Sequence, residues 1–185
     1  MRLHPLPREA LSPELREVHD EVAALVARRQ NEVPMLDAQG ALTGPFPPLL
    51  HFPQFGIPAL RFIRAAAHEI HLPAAVREVA ILTVGAALGA RFEVYAHEVM
   101  AKAVGLSAGQ IATLAAGARP VDLRDEEAVA HDVARVLAKG RVVTTSTYEH
   151  AEQLLGHQGY AELVFLIGSY ALVATLLNAF DVPVP

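Results

Sequence analysis

Residues 73–104 read PAAVREVAILTVGAALGARFEVYAHEVMAKAV, and this stretch decides the fold. Apolar residues recur at helical spacing on both sides of Leu88-Gly89-Ala90. The run therefore predicts two helices, Pro73–Leu88 and Arg91–Val104, folded back on each other about a glycine turn. Three ionisable residues fall where apolar ones belong. With Glu93 at zero on a helical wheel, His97 lies at about 40°, Met100 at about −20° and Val104 at about 20°. Arg91, Tyr95, Glu98 and Lys102 gather on the opposite side. Glu78 sits likewise among Ala74, Ala75, Ile81, Leu82 and Gly85. Positions equidistant from the turn meet in an antiparallel pair, so Glu78 is expected across from the His97–Met100 level. The i,i+4 spacing would let Glu93 and His97 touch. A charge on a buried helix face is costly unless it is paired or put to use. Glu78, Glu93 and His97 are therefore the candidate site, against the plainer alternative that they fix helix register as a structural ion pair.

Outward from this pair, the chain reads as all-α, with seven or eight helices. Ser12-Pro13-Glu14 starts a helix expected to reach Arg29, its inner face carrying Leu15, Val18, Val22, Leu25 and Val26. Residues 30–58 are broken by Pro34, Gly40, Gly44-Pro45 and Pro47-Pro48, with room for one short helical turn near Leu49–Phe52. Phe46, Leu50, Phe52 and Phe55 mark this connection as a packed flap rather than disordered chain. Helices are expected over Ile57–Ile70, Ala108–Ala116 and Arg124–Lys139, where Ala128, Val129, Val133, Val136 and Leu137 point inward and His131 outward. A short helix to Leu155 follows, and Gly156-His157-Gln158-Gly159 separates it from the last one, Tyr160–Ala179. The organisation is thus residues 1–55, an N-terminal helix and flap, and residues 56–185, the helical domain. The last helix is apolar almost all round, which predicts enclosure in the core or between subunits, and hence a homo-oligomer.

Composition narrows the function. The 185 residues are 52% apolar and 19% charged, with a formal net charge of −5. That balance argues against nucleic acid or an anionic membrane as partner. There is no cysteine, which removes disulfides, thiolate metal sites and thiol redox chemistry. The first residues, MRLHPLPREALSPEL, contain no apolar run like that of a secretory signal. Ala161–Phe180 is interrupted by Glu162, Ser169, Tyr170, Thr175 and Asn178 and lacks flanking basic residues, so it reads as a core helix rather than a membrane span. A cytoplasmic location is expected.

Leu72-Pro73, Arg77-Glu78, the run Gly89-Ala90-Arg91-Phe92-Glu93-Val94-Tyr95-Ala96-His97, and Gly105-Leu106-Ser107 together resemble the core of the carboxymuconolactone decarboxylase family, which includes the AhpD-like alkylhydroperoxidases. Tyr160-Ala161-Glu162-Leu163-Val164 through Leu177-Asn178-Ala179 resembles the family's final helix. In the AhpD-like peroxidases a Glu, a C-x-x-C pair and a His relay protons. The resemblance puts that Glu at Glu78 and that His at His97, with the two cysteine positions on Ala90 and Glu93. Thiol peroxidase activity is accordingly not expected, and the Glu93/His97 spacing resembles the cysteine-free branch. The resemblance implies a cofactor-independent decarboxylase-like lyase acting on a small, anionic cyclic acid or lactone. His97 would be its general acid–base, Glu78 its orienting group and Glu93 a second proton carrier. Arg61, Arg64, Arg77 and Arg91 are available to hold a substrate carboxylate. Two alternatives stay open: a metal-dependent enzyme using Glu78, Glu93 and His97, and a non-catalytic oligomeric protein that binds a small molecule.

Overall fold

The computed structural model describes residues 1–28 and 32–185, with His68 described by its backbone alone. Among them are eight α-helices and no strand, so the all-α expectation holds: α1 (Pro13–Ala27), α2 (Phe46–His51), α3 (Pro53–His68), α4 (Ala74–Leu88), α5 (Arg91–Ala103), α6 (Ala108–Ala115), α7 (Asp125–Ala138) and α8 (Thr145–Ala179). The expected end of the first helix at Arg29 lies outside the described residues.

The central helix is α4, which packs against α5, α6, α7 and α8. Its Val76, Val79, Leu82 and Val84 are almost wholly buried, because partners surround it and no polar face is needed. One core lies between α4, α7 and α8, around Val76, Val84, Val133, Leu163 and Leu166. A second, around Val79, Leu82, Ala101 and Leu114, ties α4 to α5 and α6. Gly89 ends α4 at φ 67°, a backbone region that only glycine enters without strain. The amides of Gly89 and Ala90 return to the carbonyls of Ala86 and Gly85 at 3.2 and 2.9 Å, the double closure that terminates many helices. From α8, Asn178 donates to the orphan carbonyl of Leu88 at 2.8 Å, so the turn is held from both sides.

Several expectations need correction. The third helix starts at Pro53, four residues before Ile57, because proline suits a first helical position. Its Gly56 presses on α2: a methyl group there would sit 1.8 Å from the Leu49 carbonyl oxygen. The flap buries Leu50 but leaves Phe52 and Phe55 43% and 72% exposed, and Leu25 of α1 is also exposed. Within one chain the core does not enclose the final helix all round, since Phe165 is 62% exposed. By length and composition α8 could cross a membrane; here it breaks at Gly156, φ 73°, and packs on α3, α4 and α7. His131 is buried, not outward-facing. Next to it, Asp132 pairs with Arg119, which lies ahead of α7, at 3.1 Å. Burial pushes the His131 imidazole below its ordinary pKa, against a smaller opposing effect of Asp132.

Candidate active site

The glycine turn sets α4 and α5 side by side, and Glu78 and His97 meet across it. His97 Nδ1 lies 2.7 Å from Glu78 Oε2. The His97 side chain is 8% exposed and that of Glu78 13%. A carboxylate only accepts, so the pair places the proton on Nδ1 and directs the Nε2 lone pair elsewhere. Tyr170, from α8, meets the imidazole edge-on with ring centroids 5.0 Å apart and an interplanar angle of 88°. Burial above all, then the nearby Glu78 carboxylate, raises the Tyr170 phenol well above its ordinary pKa. Tyr170 is therefore a neutral wall against which the imidazole is fixed.

Both members of the pair line a cavity of about 540 Å³, a volume in the range of small-molecule sites. Its walls come from five parts of the chain: Leu25, Val26 and Arg28 at the end of α1, Val33 and Met35 in the flap, Ala66 and Ala67 on α3, the α4–α5 pair, and Leu166 with Tyr170 on α8. The flap thus covers a pocket. Of the four arginines considered for an anion, only Arg77 lines this cavity. Its Nη1 donates to the Ala67 carbonyl at 3.0 Å, while its buried Nε has no acceptor. Arg64 pairs with Glu21 at 2.8 Å and Arg91 with Asp181 at 3.7 Å, both in exposed positions. Arg61 faces a different cavity.

Glu93 does not join the pair. It is 2% exposed, neither carboxyl oxygen has a hydrogen-bond partner, and it is not among the cavity walls. It lies instead against Gly85, where an added methyl would come within 3.1 Å of its Oε1. Desolvation drives its carboxyl well above the ordinary carboxylate range, which favours the neutral acid. Among the described residues no three His, Asp or Glu side chains gather as metal ligands, so the metal-dependent alternative lacks a donor set there.

The walls from α1, the flap and α8 were not legible in the sequence. Tyr170, in the sequence only a polar interruption of the last helix, is a wall of the cavity.

Comparisons with known proteins bear on the fold around this site. The sequence model of the carboxymuconolactone decarboxylase family matches residues 54–135, the span from α3 to α7 that contains Glu78, Glu93 and His97. No curated protein matches the sequence. Among solved structures, the chain resembles a crystal structure of the debrominase Bmp8, a cysteine-to-alanine variant in complex with 2,3,4-tribromopyrrole. The TM-score is 0.74 at 13% identity, over 100% of this chain and 92% of that one. At that identity the likeness is one of fold. Residues 54–135 thus carry the sequence pattern of the carboxymuconolactone decarboxylase family, here without a cysteine.

Proposed function

We propose that the protein is a cofactor-independent lyase that decarboxylates, or shifts a proton on, a small cyclic acid or lactone. The observation that carries this reading is the 2.7 Å Glu78–His97 pair on the wall of a largely apolar cavity that also holds Arg77. Arg77, a cationic wall residue steadied by its Nη1 bond to the Ala67 carbonyl, receives the substrate carboxylate. The bond to the departing CO2 breaks and its electron pair passes into the unsaturated ring as a dienolate. His97, protonated on Nε2, then delivers a proton to carbon and regains one from water. Glu78 holds the ring in place and stabilises the imidazolium when it forms. For a simple proton shift the same Nε2 acts first as base and then as acid. Glu93, buried against Gly85 and apart from the cavity walls, is not assigned a proton transfer to substrate. Bmp8, of similar fold, is a debrominase whose structure holds a small halogenated ring, so this architecture is compatible with ring compounds.

The test is CO2 release from a panel of unsaturated lactone carboxylates and cyclic β-keto acids. Wild type should turn over at least one member, and His97→Ala should do so more slowly by roughly 10²- to 10⁴-fold. Binding of the panel without CO2 release or solvent-deuterium exchange would instead identify a non-catalytic binding protein. The protein is also proposed to act as a homo-oligomer. The exposed stripe of α8 carries Phe165, packed edge-on against the exposed Phe62 of α3 with centroids 6.4 Å apart, an apolar face suited to a second copy. Sedimentation at micromolar concentration should exceed the 19.8 kDa of one chain; a monomer would overturn this.

A further inference from the structure

A second cavity, of about 550 Å³, runs between α1 and α3. Its middle is aliphatic, with Val22, Leu25 and Val26 on α1 facing Ile57, Leu60 and Ile63 on α3. Its charged residues, Glu14, Glu17, Glu21, Arg61 and Arg64, are exposed and form the rim. The exposed Arg64–Glu21 ion pair joins the two walls. This groove abuts the cavity at His97: Leu25, Val26 and Ala67 line both. No charged residue is shared between them.

We infer that the groove holds an apolar chain attached to the ring acid whose carboxylate sits at Arg77. The inference depends on the head-group assignment made above and extends it from a small ring acid to one bearing an alkyl or acyl tail. Three observations favour a tail over a protein partner. The groove shares Leu25, Val26 and Ala67 with a site that is itself suited to an anionic head. Its aliphatic floor offers no hydrogen-bond donor or acceptor that a peptide backbone would need. The Arg64–Glu21 pair also bridges its rim, where a docking helix would have to break it.

The experiment is calorimetric titration of the full chain with straight-chain carboxylates from butanoate to decanoate, below their micellar concentrations. Affinity should rise roughly fourfold per methylene while the groove fills, then level off. Leu60→Trp, which plugs the groove from α3, should flatten that slope and leave butanoate binding unchanged. Val22→Trp plugs it from α1 and serves if the first variant fails to fold, as judged by circular dichroism. Arg77→Met should weaken every homologue by the same factor. Equal affinity for all chain lengths, as when a second copy covers the groove, would overturn the inference. So would a slope that survives both plugs, or no binding at any length. Loss of the Arg77 effect alone, with the slope intact, would contradict the head-group assignment rather than the groove.

Discussion

Glu162 and Glu93 are both hidden, at 7% and 2% exposure, yet their surroundings are opposite. Glu162, on α8, accepts from the backbone amides of His71 and Leu72 at 2.8 and 3.2 Å. The His71 ring and the Gln158 amide add contacts at 3.1 and 3.2 Å. It locks the turn into α4. Burial alone would raise its carboxyl, but the bonds from His71, Gln158 and Leu72 outweigh this and hold it below its ordinary value. Glu93, on α5, has no such partner and is raised. Between them stands Glu78, with one partner and an open cavity. A fully satisfied buried carboxylate is a fastener. One with a single imidazole partner and an open cavity beside it has capacity left for substrate.

The sharpest way to break this contrast is to delete one residue from each class. His97→Ala should cost roughly 10²- to 10⁴-fold in turnover and leave the melting temperature nearly unchanged. Glu162→Ala should do the reverse, losing about 2–4 kcal/mol of stability in urea titration because two amides are stranded. Glu162→Gln should recover much of that, since its carbonyl still accepts. A variant at His97 that unfolds, or one at Glu162 that loses turnover while folded, would merge the two classes.

The pH dependence of stability sharpens the contrast further, with opposite signs. A carboxyl lowered on folding contributes stability above its ordinary pKa of 4.5, lost as pH falls through the lower folded value. A raised one makes the folded chain hold a proton that the unfolded chain has released, so stability declines as pH climbs above 4.5. Glu93→Gln should thus stabilise relative to wild type, increasingly so from pH 4.5 upward, whereas the deficit of Glu162→Gln should shrink below that pH. Denaturant melts from pH 3 to pH 8 would show both; parallel curves would remove the distinction. The smallest effect belongs to Gln158→Ala, which removes one neutral donor to Glu162 and should cost about 0.5–1.5 kcal/mol.

How much of this was legible beforehand depended on how local the determinants are. The α4–α5 pair and the meeting of Glu78 with His97 follow from helical period and a glycine turn, both encoded within a few dozen residues. Glu93 shares the stripe of His97, yet a wheel gives a direction and not what lies opposite. The missing side chain of Gly85 leaves room for its carboxyl without offering a partner. His131 failed for a related reason, since a wheel marks a polar direction on α7 but not that the fold buries it. The cavity walls at Val26, Val33, Met35 and Tyr170 come from distant segments, and local pattern cannot bring those together. For α8 the pattern predicts enclosure in the core or between subunits, and the exposed Phe165 shows that the core of one chain does not supply all of it.

The central claim is that the Glu78–His97 pair moves a proton to carbon. Its most direct test is solvent-deuterium incorporation into an unsaturated lactone carboxylate, followed by mass spectrometry of substrate and product. Wild type and Glu162→Gln should both place one deuterium on the ring carbon, and His97→Ala should place none above background. Equal labelling by His97→Ala and wild type would contradict the claim.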